Sequence, residues 1–248
     1  MINYLKSEIY RMSQAKSTYL FPIGLTLFFL GMLGLVILTP VEGRDSSELL
    51  FLSVSNLLFV FPLQIPLMAQ TVFADEHGNG TFKNSISYGV DRKTLFLGKL
   101  VLTILYPALV LVIAMGIFLI STNLLMDVNP VEQQAFMTSI IKSLPALLAL
   151  FFFANMLSFV IKKISFQWGV YFAVALGFPT MLIWIQSVTG WHILGALFNF
   201  TPIGLLMQIN IAVLTGQGAQ WSDLWIVLVV YAILSAVIGL VSFSKQDV

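Results

Sequence analysis

Apolar and polar positions fall along this chain in long blocks rather than at every second residue. Six apolar runs stand out: Tyr19–Leu38, Leu49–Thr71, Leu97–Ile120, Leu144–Ile161, Val170–Val188 and Leu224–Phe243. A helix rises about 1.5 Å per residue and roughly 20 residues cross the hydrocarbon core, so each run is close to bilayer length. Barrel strands would read as alternating segments of about ten residues. These runs do not alternate. The pattern predicts an all-α polytopic membrane protein with six transmembrane helices in a single domain, residues 1–248.

The intervals between the runs carry their own predictions. In Met1–Lys16, Ile2, Leu5, Ile9 and Met12 recur at spacings of three and four, with Lys6, Glu8, Arg11 and Lys16 elsewhere around the wheel. This predicts an interfacial helix feeding the first span, with a plain basic flank as the alternative. Pro40–Glu48 reads as a short acidic loop, Ser121–Ser143 as a longer polar loop, and Lys162–Lys163 as a tight turn. Residues 190–222 are too long and too apolar for a simple loop. Within them Trp191–Phe200 and Ile203–Leu214 flank Thr201-Pro202, and Gly216-Gln217-Gly218 closes the segment. Neither helix is long enough to span, so a re-entrant hairpin is predicted, against a surface-lying amphipathic segment.

Composition narrows the classes. Of 248 residues, 58% are hydrophobic and 9% charged, with a mean hydropathy of +0.95. Soluble domains carry about 25% charged residues. There is no cysteine, which excludes disulfides and thiolate metal sites. The net charge of +1 and the lack of a basic cluster interleaved with aromatics argue against a nucleic-acid partner. No short apolar core with a small-residue cleavage site opens the chain, so the first span itself would direct insertion.

Lys and Arg counts set the orientation. One side holds Lys6, Arg11, Lys16, Lys83, Arg92, Lys93, Lys99, Lys162, Lys163 and Lys245; the other holds only Arg44 and Lys142. Ten against two places both termini in the cytoplasm. Trp191, Trp221 and Trp225 then fall at the outer boundary and Trp168 at the inner, where amphipathic rings settle.

The polar island Phe73–Lys99 is the largest cytoplasmic feature. Gly78 and Gly80 break the chain after span two, and Thr81 is a plausible N-cap for a short helix ended by Gly89 as a left-handed residue. Phe82 and Ile86 share a face of that helix, beside Lys83 and Asn84, and Tyr88 closes it. Asp91 can cap the next helix, whose first turn carries Arg92 and Lys93. Asp75 and Glu76 end span two, where the helix dipole disfavours them. They are either solvated acids that stop the span or, for Glu76, the partner of a basic residue on the N-terminal helix or another subunit.

Other chemistry is set aside. Walker A needs G-x-x-x-x-G-K-[ST]; Gly89-Val90-Asp91-Arg92-Lys93-Thr94 lacks the glycine before the lysine and opens a membrane helix. His77 and His192 fall on opposite faces and cannot share a metal, and the Asn199-Phe200-Thr201 sequon lies in an apolar context. No span carries an ionisable residue near its middle, unlike most ion-coupled transporters. Span two does carry Ser53, Ser55, Asn56 and Gln64 with Pro62 and Pro66. Asn56 and Gln64 lie about 80° apart on a continuous helix, a face that either bonds a neighbouring helix or lines a pathway. Asn155 and Ser158 read as packing contacts.

The series Glu76…Gly80-Thr81-Phe82-Lys83, Gly89-Val90-Asp91-Arg92 and Gly98-Lys99-Leu100 resembles the signature of ABC-2-type (type V fold) permeases. Gly89 stands where that family usually has proline and Asp91 where it has serine, which keeps a sharp bend followed by an N-cap. With six spans and both termini inside, the resemblance covers essentially the whole chain. Its size resembles the small bacterial permeases of lantibiotic and peptide-antibiotic export and immunity.

The resemblance implies a transport subunit with no ATPase of its own, driven by two copies of a separate ATPase that hold ATP and Mg. It implies a second permease, identical or related. It makes residues 75–88 the coupling segment, with Asp75, Glu76, Thr81, Phe82, Lys83, Asn84, Ile86, Tyr88 and Arg92 as docking residues. Ser53, Asn56 and Gln64 become pathway residues, and Phe200, Thr201 and Pro202 an outer gate. Cargo would be amphipathic or hydrophobic, exported from a bacterial cytoplasmic membrane. The rivals are a membrane-embedded substrate-capture component and a non-transporting assembly or signalling protein.

Overall fold

The computed structural model describes residues 2–39, 46–58, 61–73, 81–215 and 221–245. Among these residues there are helices and no strand. In chain order they are α1 (Ile2–Gln14), α2 (Ser17–Leu38), α3 (Ser46–Leu58), α4 (Ile65–Phe73), α5 (Thr81–Ser87), α6 (Arg92–Leu125), α7 (Pro130–Val160), α8 (Ile164–Phe172), α9 (Phe178–Thr189), α10 (His192–Asn199), α11 (Pro202–Thr215) and α12 (Trp221–Lys245).

Five stretches are single helices long and apolar enough to cross a membrane: α2, α6, α7, α8 running into α9, and α12. Two further stretches pass only as bent pairs. Residues 46–56 with 61–73 bend by 43°, and 192–199 with 202–212 by 89°. Among the described residues the count is therefore five to seven candidate spans, the pattern of a multi-pass helical membrane protein.

Three boundaries differ from the expectations above. The predicted loop Ser121–Ser143 is mostly helix, because α6 continues to Leu125 and α7 starts at Pro130. Asn129 caps α7, its side chain accepting from the Val131 amide, and Pro130 at the first turn needs no N–H donor. Only four residues remain between the helices, and both helices run on past the apolar runs that marked them. Span two is not one helix: a 3₁₀ turn, Phe61–Gln64, precedes α4. Pro62 and Pro66 each lack the N–H that an α-helix would use there. The single-wheel angle between Asn56 and Gln64 therefore does not apply. Span five is interrupted by a π-turn, Ala173–Gly177, where the Phe178 amide reaches back to the Ala173 carbonyl. Pro179 follows it, a residue whose ring and missing donor disturb the ladder of the preceding turn.

α7 is the pillar of the packing, touching α3, α4, α6, α8, α11 and α12. Two knots of phenylalanine join it to its neighbours. One groups Phe29, Phe51, Phe118 and Phe136 from α2, α3, α6 and α7. The other centres on Phe159, with Phe73 at 5.0 Å and Phe96 and Phe243 at 4.8 Å between ring centroids. Gly239 lets α12 lie against this second knot, since a Cβ there would come within 2.6 Å of the Phe96 ring. By contrast α2, α8–α9 and α12 keep most of their apolar surface exposed, as helices facing lipid or another subunit do.

Candidate functional site

Two residues of the island, Phe73 and Phe96, belong to the Phe159 knot, and its described part is built by local rules. α5 runs Thr81–Ser87, and the Thr81 side chain, which would make the predicted cap, lies outside the described residues. It ends in a Schellman turn: the Gly89 amide donates to the Ile86 carbonyl (2.9 Å) and the Val90 amide to the Ser85 carbonyl (3.1 Å). Gly89 has φ +86°, where a side chain would be strained. Asp91 then caps α6, accepting from the Thr94 amide at 3.4 Å. Hydrogen bonding from the Thr94 side chain, and then from its amide, holds the Asp91 carboxyl below the usual aspartate range.

Of the docking residues named from sequence, Asn84 and Tyr88 are exposed, Tyr88 at 88%. Ile86 is half-buried and packs with Val90 against the core, so it helps to seat the helix. Asp75 and Glu76 lie outside the described residues, as do His77 and the side chains of Thr81, Phe82 and Lys83. Arg92 faces inward. Its Nη1 donates to the carbonyls of Phe243 (3.0 Å) and Ser244 (2.6 Å), and its guanidinium lies over the Phe243 ring at 5.9 Å. A cation on the last carbonyls of a helix meets the negative end of its dipole. Arg92 thus joins the root of α6 to the end of α12.

The strongest polar feature is one that sequence reasoning assigned to the wrong face. Glu8 is buried on the packed side of α1 with Met12, beside half-buried Tyr4 and Leu5, while Ile2 and Ile9 are exposed. Lys99 of α6 is 0% exposed, and its Nζ donates to Glu8 Oε2 (2.7 Å) and to the Val72 carbonyl (3.0 Å). Arg11 Nη2 donates to the same two oxygens, at 2.7 Å and 2.5 Å, and its Nε reaches Glu8 Oε2 at 3.1 Å. The Phe73 ring lies 5.7 Å from Lys99 Nζ. Two cations therefore converge on one carboxylate oxygen and one backbone carbonyl at the end of α4.

Next to Lys99, Gly98 makes room for Tyr4: a Cβ there would fall 2.6 Å from the tyrosine ring. The Gly98-Lys99 pair is thus the seat of α1, the glycine for shape and the lysine for charge. At the other end of α1, the Tyr106 hydroxyl donates to the Thr18 carbonyl (2.9 Å) and fixes the joint with α2. The pair was visible in sequence; its partner, 91 positions away, was not.

A family model described as ABC-2 family transporter protein matches residues 4–183, well over half of the chain. The chain belongs to this family. It is therefore a membrane component of an ABC-type transporter, a permease rather than an ATP-hydrolysing subunit. No curated protein matches it.

In this ABC-2 chain the remaining candidates fall in two places. Ser53 and Gln64 are half-buried on either side of the break in span two. Asn56 is exposed; its Oδ1 accepts from Asn210 Nδ2 of α11 at 2.6 Å, and its own amide donates to the Leu52 carbonyl. The pathway candidate is thereby tied to the bent pair α10–α11. Phe200 is exposed, whereas Thr201 and Pro202 are buried in the 89° turn. The Thr201 hydroxyl donates to the Phe198 carbonyl (2.7 Å) and accepts from the Gly204 amide (3.0 Å). A Cβ on Gly204 would lie 2.0 Å from the Phe198 oxygen, so only glycine fits there. Asn155 and Ser158 are buried contacts of α7, to Thr103 and Gln167 respectively.

Proposed function

We propose that this chain is the transmembrane subunit of an ATP-driven exporter in a bacterial cytoplasmic membrane, and that a separate ATPase docks on the island. The observation that carries this reading is the arrangement around α5. A short, firmly ended helix follows span two, and at the end of α4 Glu8, Lys99, Arg11 and the Val72 carbonyl lock α1, α4 and α6 together. A push on α5 would meet a stiff base rather than a loose loop.

In this reading α3 and α4 together form one crossing, which with the five long helices makes six. Both termini face the cytoplasm, residues 1–16 lie at the interface, and α10–α11, within 190–222, enter the outer half as a gate. Two permeases, identical or related, pair around a pathway that includes Ser53, Asn56 and Gln64. Two ATPases bind ATP and Mg and engage Asp75, Glu76, Thr81, Phe82, Lys83, Asn84, Ile86 and Tyr88, with Arg92 holding the base. Cargo is amphipathic or hydrophobic, an antimicrobial peptide being the favoured class, removed as efflux or self-immunity. The few charges along the spans support that choice.

Co-purification tests the docking. Tyr88→Asp with Phe82→Asp should release the ATPase encoded with the permease while leaving the permease inserted and monodisperse. Ile86 is spared because its packing would confound the result. An ATPase that stays bound to the double variant would remove α5 as the docking element.

A further inference from the structure

We propose that a cavity enclosed by α9, α10 and α11 binds an uncharged, extended stretch of the cargo's peptide backbone. The cavity has a volume of about 450 Å³, the size of a small-ligand site. Its α10 wall is the face His192, Gly195, Ala196 and Asn199, spaced as one side of a helix. Gln186 of α9 and Gln208 of α11 join His192 and Asn199 to make a polar set of four. Among the described residues, none of these four side chains is hydrogen-bonded within the protein. The other described lining residues are apolar or glycine.

The chemistry of the walls selects the ligand. A glutamine or asparagine amide both donates and accepts, as a peptide group does, and a neutral imidazole does the same through its two nitrogens. Phosphate oxygens mainly accept and an ammonium only donates, so either would leave half of these groups unmatched. No Asp, Glu, Lys or Arg is among the described lining residues, so an ion would also meet no fixed counter-charge. Spacing agrees. His192 and Asn199 are seven residues apart, about 10 Å along the helix axis and about the length of three extended residues. Between them a Cβ on Gly195 would collide with the Gln186 amide, so glycine lets that amide lie against the α10 backbone in the middle of the row. The site stands at the end of span five remote from the Lys162–Lys163 turn, the outer end in the orientation proposed above. The word cargo rests on the exporter reading, whereas peptide binding is measured on the permease alone.

The test uses the purified full-length protein in nanodiscs, with no ATPase present, and the neutral probe N-acetyl-alanyl-photoleucyl-alanine amide. Irradiation followed by peptide mapping should place the adduct on α9, α10 or α11, and excess N-acetyl-trialanine amide should suppress it. Asn199→Leu and Gln208→Leu each remove one bonding group at similar size and should each cut labelling about fivefold, the share of one net hydrogen bond. Ser187→Leu, on α9 but outside the cavity, should leave labelling unchanged. Full labelling in both leucine variants at the cavity, or adducts spread over the spans and indifferent to the competing peptide, overturns the site. Suppression by phosphocholine but not by the peptide also overturns it, making the cavity a receptor for lipid headgroups. An ATPase that fails to dock on α5 leaves this labelling untouched, and a lost adduct leaves the docking result untouched, so the two readings fail separately.

Discussion

Glu8 is the residue whose removal should cost most, and the structure sets the order among its neighbours. Lys99 is fully enclosed, with the Glu8 carboxylate as its counter-charge at 2.7 Å. Glu8→Gln puts a neutral amide where the carboxylate faced that ammonium and the Arg11 guanidinium beside it. Removing one partner of a buried pair costs about 3–5 kcal/mol, because the remaining charge stays desolvated. Lys99→Met is milder, since Glu8 keeps two hydrogen bonds from Arg11 and the methionine fills much of the lysine volume; about 1–3 kcal/mol is expected. Arg11→Gln should cost about 1 kcal/mol or less, because the Arg11 side chain is 33% exposed. The double variant Glu8→Gln/Lys99→Met should be less destabilised than the sum of its parts, by about 0.5–3 kcal/mol. The assay is thermal unfolding in detergent followed by tryptophan fluorescence; thiol-reactive dyes are of no use in a chain without cysteine. If Glu8→Gln melts with or above Arg11→Gln, the charge cluster does not hold α1 in place.

Gly98→Leu should displace α1 from α6, because even a Cβ meets the Tyr4 ring. Trypsin would then cleave at Arg11 or Lys16 faster than in wild type, and adding Tyr4→Ala should restore protection. Gly204→Ala should straighten or break the α10–α11 turn, since its methyl would collide with the Phe198 carbonyl, a backbone atom that cannot rotate away. Transport should fall while Lys83 and Lys93 of the island keep their labelling pattern. Tyr171→Phe removes the hydroxyl that donates to the Pro62 carbonyl (3.0 Å) and leaves a buried acceptor bare. A loss of about 1–3 kcal/mol is expected in the same melting assay, and an unchanged melting point would deny that bond a structural role.

The crossings were legible because apolar blocks of bilayer length have few other uses. So were Gly89 and Asp91, whose roles depend on neighbours within a turn. Glu8 was misread for the opposite reason. On a wheel it lies beside Arg11 as one more polar residue, and only its contact with Lys99 across the fold reveals it as buried. The helical extensions of α6 and α7 escaped notice because polarity was taken for irregularity. Outside the hydrocarbon a helix needs no apolar run, and Asn129-Pro130 was the available start signal. The π-turn in span five leaves no compositional trace beyond Pro179, a residue that also occurs in unbroken membrane helices.

The irregular points lie where they can be tolerated and where they can be used. In lipid a freed backbone carbonyl must find a donor or be buried in protein. Pro62 in the break of span two finds the Tyr171 hydroxyl, two residues before the π-turn of span five. The turn between α10 and α11 is satisfied by Thr201. Each flexure is thus bonded to its own neighbourhood, while α6 and α7 run unbroken beside them for 34 and 31 residues. The chain therefore divides into a long, unbroken pair of helices, with α6 joined to α1 and α4 by Lys99 and to α12 by Arg92, and segments that bend beside it. At the end of α4 the Val72 carbonyl accepts from Lys99 and Arg11, and the 3₁₀ turn at Phe61–Gln64 opens the same helix. Tyr171 of span five bonds the Pro62 carbonyl in that turn, and Asn56 of α3 bonds Asn210 of α11, so the bent segments are joined to one another.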